Sequence, residues 1–204
     1  IRNYQVHYQQ PWLFNHYQFV FDFKGFLTYR TELVQNDAQP YDTLRRGLSV
    51  FLTKPLRRLY LDVGAGVRSE YVSPQDDVAF SSYQLNSLSF YLEHQGLKSL
   101  INPKQGHRSK IIIDRGGRIF GAQFGGIDFM RISTMHSQYI PIRSNLTLAA
   151  RAFGGLYKKY SDMITFETEK FSLGGSNSLR GYKEGAFYGN YRLSVNLEPR
   201  YHFN

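Results

Sequence analysis

Apolar and polar residues alternate with a period of two along most of the chain. Near its end, Leu193, Val195 and Leu197 occupy alternate positions, and polar residues separate them. Such alternation predicts β-strands with one apolar face, because successive side chains of a strand point to opposite sides. Helical spacing prevails nowhere, so we predict an all-β chain. The predicted strands are 1–9, 16–24, 46–53, 58–68, 84–95, 109–121, 127–140, 146–158 and 190–203.

The connections between the predicted strands alternate in character. Short connections that contain Pro or Asn lie at 9–15, 53–58, 101–108 and 141–145. Long polar connections lie at 34–42, 73–82 and 159–189, and the short turn FGGID at 124–128 falls where a long one is expected. Short turns at one end and long loops at the other are typical of barrels in the outer membrane.

Charged residues lie repeatedly opposite the apolar face of the predicted strands. Isolated charges that faced a packed core would be costly, whereas a water-filled lumen accommodates them. No run approaches the roughly 20 apolar residues of a membrane helix, which excludes a helical membrane protein. We therefore predict a transmembrane antiparallel β-barrel. Residues expected to face lipid are Phe19, Phe21, Leu61, Leu193 and Leu197; those expected to face the lumen are Asp22, Arg68, Asn196 and Glu198.

The composition further limits the classes of function that the chain can have. The net charge of +9 would suit nucleic acid or an anionic membrane surface. The period-two placement explains the aromatic residues more simply than nucleic-acid binding does, and we predict no nucleic-acid partner. The absence of cysteine excludes disulfides and thiolate metal sites. The run GGSNS does not match G-x-S-x-G, and the six histidines lack paired spacing. We predict no catalytic residue, no metal and no cofactor, and hence no enzyme.

The segment 170–182, KFSLGGSNSLRGY, has more glycine than a turn requires. It resembles the loop motif of the outer-membrane assembly-factor superfamily, which includes BamA-type insertases, TamA-type factors and two-partner secretion translocators. The resemblance is carried by the motif Leu179, Arg180, Gly181 and Tyr182 and by the preceding turn of Gly174, Gly175 and Ser176. The turn at 102–108 and the strand at 189–201, with Glu198 and Arg200, are also similar to that family.

The resemblance implies that residues 1–204 are part of a single outer-membrane β-barrel domain, about the fourth to the twelfth of sixteen strands. Independently, the nine predicted strands are an odd number, whereas a bacterial barrel has an even number, so at least one strand is expected before Ile1 and more after Asn204. Residues 159–189 would be a long extracellular loop folded into the lumen. In the family the loop arginine binds a carboxylate on a later strand, so the main partner of Arg180 is expected beyond Asn204. Glu198 and Arg200 are candidate lumen contacts.

The function that the resemblance implies is assembly and insertion of β-barrel proteins in the bacterial outer membrane. The expected partners are outer-membrane lipid, unfolded outer-membrane or secreted proteins, upstream soluble POTRA repeat domains, and accessory periplasmic or lipoprotein subunits. Two alternatives remain open: a two-partner secretion translocator, and the barrel of an enzyme-linked, patatin-like protein. A plain porin is disfavoured by the loop motif.

Overall fold

A computed structural model describes residues 2–11, 18–33, 40–75, 82–99, 101–119, 122–123, 125–162, 165, 167–175 and 178–202. The strands are β1 Arg2–Gln10, β2 Val20–Leu33, β3 Pro40–Leu56, β4 Leu61–Pro74, β5 Tyr83–Gln95, β6 Gly106–Gly116, β7 Arg118–Ile119, β8 Ala122–Gln123, β9 Phe129–Arg143, β10 Leu146–Lys159, β11 Phe171–Leu173, β12 Phe187–Gly189 and β13 Tyr191–Tyr201. Two 3-10 turns occupy Arg57–Leu59 and Glu167–Glu169. Across these ranges, no helix has the length and apolar character needed to cross a membrane.

Nine long strands form one antiparallel sheet. Their order is β1-β2-β3-β4-β5-β6-β9-β10-β13, so each strand pairs with the long strand next to it along the chain. Among the described strands, β1 and β13 form the two edges of this sheet and do not pair with each other. The predicted all-β fold, in which nine antiparallel strands form part of a barrel, is confirmed.

The strand register separates the sheet into two chemically different faces. Arg68 of β4 lies between Ser49 of β3 and Ser87 of β5 on the inner face, which we define as the face that carries Arg68. The next residue, Val67, lies on the opposite, outer face and is exposed. By the same register, Asp22, Asn196 and Glu198 share the inner face, whereas Phe21, Leu61, Leu193 and Leu197 share the outer face.

Several strands extend beyond their predicted limits. Strand β2 continues to Leu33 instead of ending at residue 24, and β3 begins at Pro40. The sequence pattern underestimates both, because pairing with a neighbour carries the ladder through residues whose polarity does not alternate. Residues 12–17, at the predicted start of β2, lie outside the described residues. At the other extreme, β6 ends at Gly116, although its predicted strand continues to residue 121.

The prediction of a short turn at 124–128, FGGID, is wrong. Residues 117–128 form one longer connection between β6 and β9, and it contains the small hairpin of β7 and β8. Its last part folds back on the sheet: the amide of Ile127 donates to the carbonyl of Gln84 (2.9 Å), and Ile127 is buried with Tyr83. Burial of this apolar side chain holds the connection in place.

The contrast in length between the two ends is weaker than predicted. Because β3 begins early, the connection 34–39 is shorter than 96–105 at the opposite end. The contrast rests mainly on 117–128 and 160–190, which lie at the same end of the sheet. We call this the long-loop end, and the opposite end, which carries 57–60, the short-turn end.

Candidate functional site

The inner face of the sheet carries a concave cavity of about 610 Å³. Residues from β1 to β9 line it, and part of the long connection 160–190 closes one side through Thr168 and Glu169. Both signs of charge meet there. The charged residues that contact the connection or support that contact are Arg45, Arg68, Glu70, Arg131 and Glu169.

Arg45 joins the wall of the sheet to the long connection. Its Nη1 donates to Oε1 of Glu70 on β4 (3.0 Å), and its Nη2 donates to Oε1 of Glu169 (2.7 Å). The three side chains are only 6%, 2% and 7% exposed. Buried charges of this kind require partners, because burial costs each of them several kcal/mol of solvation that only an opposite charge and hydrogen bonds can offset. Register places Arg45 and Glu70 on adjacent strands and on the same face.

Further donors complete the surroundings of Glu169. The hydroxyl of Tyr83 donates to Oε1 (3.0 Å), and the Arg131 guanidinium lies 3.9 Å from Oε2 and donates to the Glu169 carbonyl. Burial alone would raise the pKa of Glu169, but Arg45, Arg131 and the hydrogen bonds from Arg45 and Tyr83 together hold this pKa below its usual value of 4.5. Glu169 is therefore ionised at neutral pH and attached to three strands.

A second contact is aromatic. The ring of Phe171 lies over Gly155 of β10, where a Cβ atom would come within 2.7 Å of the ring. Phe171 also meets Phe153 edge to face, with the ring centroids 5.8 Å apart. Beside it, Nη1 of Arg192 donates to the carbonyl of Ser172 (2.8 Å). The glycine thus leaves the space that lets this part of the connection approach the wall closely.

The predicted glycine turn forms a compact structure at the tip of the connection. Gly174 and Gly175 have φ values of 126° and 92°, which side-chain-bearing residues rarely adopt. The Ser178 hydroxyl donates to the carbonyl of Gly174 (2.7 Å), and the amide of Gly175 donates to the carbonyl of Tyr182 (3.1 Å). Gly181 also has a positive φ, of 90°. Ser176 of the predicted turn lies outside the described residues.

The structure brings three of the sequence-predicted residues together. Nη2 of Arg180 donates to Oε1 of Glu198 (2.7 Å), and Nη2 of Arg200 donates to Oε2 of the same carboxylate (3.0 Å). Arg180 is 74% exposed in this open sheet. An ion pair so accessible to water contributes about 0–1 kcal/mol to stability. The other motif residues, Leu179 and Tyr182, are exposed, and the Tyr182 ring packs on Phe187.

Sequence reasoning missed the buried cluster around Glu169. Arg45 and Glu169 are separated by 124 positions, so no local spacing joins them. A weak sequence signal does exist. Glu169 precedes the glycine turn, and Glu70 lies two residues after Arg68, so in a continued strand both would share one face. Among the described residues, no group of three or more His, Asp or Glu is arranged to bind a metal ion.

Comparison with known proteins places this geometry in a family. An Omp85 superfamily domain matches residues 2–193. The crystal structure of BamA from Haemophilus ducreyi lacking POTRA domains 1-3 is similar, with a TM-score of 0.79 and 16% sequence identity. The alignment covers 97% of this chain but 44% of that one, so the chain spans less than half of that structure. No curated protein sequence gives a significant match. Because the domain match covers nearly the whole chain, this protein belongs to the Omp85 superfamily, whose β-barrels lie in the bacterial outer membrane.

Proposed function

We propose that this chain is part of the barrel of a machine that assembles and inserts β-barrel proteins in the outer membrane. Membership of the Omp85 superfamily supports a barrel that acts on other proteins in a lipid environment. Nothing in the proposal requires a catalytic residue. POTRA domains and accessory periplasmic or lipoprotein subunits belong to the proposal as partners that would deliver unfolded substrates.

The observation that carries the proposal is the docking of the long connection on the inner face. We propose that residues 159–189 are an extracellular loop folded into the lumen, and we call them the docked loop. Three contacts support this: Glu169 with Arg45, Phe171 on Gly155, and Arg180 with Glu198.

The docked loop connects strands that are distant from each other in the sheet. Glu169 contacts β3, β5 and β9, Phe171 contacts β10, and Arg180 contacts β13. A loop bound at these positions fixes the curvature of the wall without adding a strand. Such an attachment would keep the wall intact while the barrel opens at one seam, as the proposed insertion requires. The two-partner translocator shares the loop motif, so the insertion assay decides between the two functions.

Insertion measured with purified components tests the proposal. The complete protein would be placed in liposomes and mixed with a urea-unfolded eight-stranded outer-membrane barrel, and folded, protease-protected substrate would be measured. Gly155→Ala should displace Phe171, because the added Cβ would meet its ring. We expect that it slows insertion roughly tenfold, while Gly154→Ala, on the outer face of the same strand, slows it little.

The outcomes separate the candidate functions. Failure of the wild-type protein to accelerate insertion above empty liposomes would overturn the insertase assignment. Passage of a secreted partner into the vesicle interior, without insertion, would instead identify a two-partner translocator. Hydrolysis that depends on an attached domain would identify an enzyme-linked barrel. Equal slowing by Gly155→Ala and Gly154→Ala would show that the docked loop has no specific part in insertion.

A further inference from the structure

The short-turn end of the sheet carries a group of cations that the proposed function does not use. We name it the basic rim and define it as Lys54, Arg57, Arg58, Lys98, Lys104 and Arg143. The register brings these residues to one end: the last residues of β3 and β5 pair with the first residues of β4 and β6, and β9 ends beside the start of β10. The six residues therefore lie in the turns and strand termini along the short-turn end of the sheet.

These cations have no acidic partner among the described residues. Arg57, Arg58, Lys98, Lys104 and Arg143 are exposed, and no described carboxylate lies within ion-pair distance of them. The ammonium of Lys54 lies over the ring of Phe19, 4.6 Å from its centroid.

The nearest carboxylates are directed elsewhere. Asp62 of β4 and Glu93 of β5 lie opposite each other in the strand register, and both side chains are on the inner face. Glu93 already accepts a hydrogen bond from Nε of Arg108 (2.5 Å) and forms an ion pair with Lys110 (3.1 Å). The basic rim is thus an uncompensated positive surface in the part of the chain that the structure describes.

Exposed apolar side chains lie between the cations. Leu59 and Tyr60 follow Arg57 and Arg58 directly, and both are exposed. Ile101 lies between Lys98 and Lys104 and is 88% exposed. Ile142, next to Arg143, is exposed as well. Water alone does not favour four large, exposed apolar side chains at one end of the sheet.

The combination fits a membrane interface better than an acidic protein. At a bilayer surface, aromatic and aliphatic side chains enter the boundary of the acyl chains, while Lys and Arg extend to the phosphates. In outer-membrane barrels the short turns lie on the periplasmic side. We propose that the basic rim binds anionic phospholipid headgroups of the inner leaflet, with Leu59, Tyr60, Ile101 and Ile142 inserted beside them.

Native mass spectrometry of the complete protein in detergent tests this. Phosphatidylglycerol and phosphatidylcholine with the same acyl chains would be titrated in parallel. Each cation near an anionic surface contributes about 1 kcal/mol, which is about fivefold in affinity. We expect that Lys98→Gln combined with Lys104→Gln weakens phosphatidylglycerol binding roughly 5- to 30-fold and leaves phosphatidylcholine binding unchanged.

The matched control is Arg2→Gln combined with Lys158→Gln, which removes the same charge at the long-loop end. It should leave phosphatidylglycerol binding unchanged. Ile101→Ser should weaken both lipids by a similar factor. Since all these positions are exposed, the variants should fold, as heat-modified migration on gels would show.

Three results would overturn the proposal. The first is equal affinity of the wild-type protein for the two lipids. The second is an equal loss in the rim variant and the control, which would reflect net charge alone. The third is binding of an oligoglutamate peptide that the rim variant abolishes while lipid binding persists, which would identify a docking site for an acidic protein.

Discussion

The two arginine–carboxylate contacts of the docked loop differ in their exposure to water. Arg45, Glu70 and Glu169 are almost fully buried, and each has a partner of opposite charge. Arg180 is largely exposed, and its contact with Glu198 is open to solvent. Removal of one member of a buried charge cluster is costly, about 3–5 kcal/mol where no partner is left, whereas an exposed pair contributes little. The buried contact therefore contributes to stability, whereas the exposed contact contributes little to it.

Replacement of Arg180 should alter the position of the loop tip more than the stability of the barrel. We expect that Arg180→Ala leaves a folded barrel and changes the free energy of unfolding by no more than about 1 kcal/mol, but increases protease cleavage of the docked loop. Arg180→Lys should restore protection only in part, because an ammonium lacks the planar fork of donors. Proteolysis of intact membranes, together with the insertion assay, measures both effects.

The comparison variant for Arg180 is Glu169→Ala. It leaves Arg45 with Glu70 alone, so we expect a loss near the lower end of the buried-pair range, about 3 kcal/mol, and detachment of the whole loop. Wild-type protease resistance and activity in Arg180→Ala would contradict a role for Arg180 in holding the loop tip against the wall. Equal effects of the two variants would contradict the difference in burial on which this comparison rests.

At the scale of elements, attachment of the docked loop should depend on pH. The surroundings of Glu169 hold its pKa below 4.5 in the folded protein, so the docked state favours the ionised carboxylate. The ionised carboxylate therefore stabilises the docked state fully at pH values above 4.5, the usual pKa of a glutamate. This stabilisation is lost as the pH falls through the lowered pKa of Glu169 in the folded protein. A spin label at Lys183→Cys should be immobile at pH 7 and become mobile well below pH 4.5.

The control for this pH effect is Glu169→Gln. Its neutral amide cannot titrate, so we expect a more mobile label at neutral pH and a smaller change on acidification. A label that becomes mobile at the same pH in both proteins would show that another group controls the transition.

The elements also show how far sequence alone reaches. Alternation predicts the nine strands and their two faces because the period of a strand is a local property, visible in neighbours such as Leu193, Val195 and Leu197. It fails at strand ends, as at Leu33 and Pro40, because pairing across the sheet extends the ladder. The glycine turn is visible through its composition. The cluster around Glu169 is not, since only the folded sheet brings its members together.

At the scale of the whole molecule, the two faces of the sheet meet different surroundings. The outer face carries exposed aliphatic and aromatic side chains, which would be unfavourable in water but suit lipid. The inner face carries Asp22, Arg68 and the buried cluster, which require water or partners. The edges β1 and β13 retain unpaired backbone groups in the described sheet, and such groups require hydrogen-bond partners in a bilayer.

Adjacent residues of β13 test this division of the faces. Val195 is exposed on the outer face, and Asn196 faces the opposite way beside Arg151. In intact membranes, a water-soluble maleimide should label Asn196→Cys and leave Val195→Cys unlabelled; detergent denaturation should make both reactive. Val195→Arg near the middle of the strand should destabilise the barrel by about 2–4 kcal/mol, because the guanidinium would enter the lipid core. Labelling of Val195→Cys in membranes, with Asn196→Cys protected, would reverse the assigned faces. Equal labelling of both would mean that β13 does not border lipid.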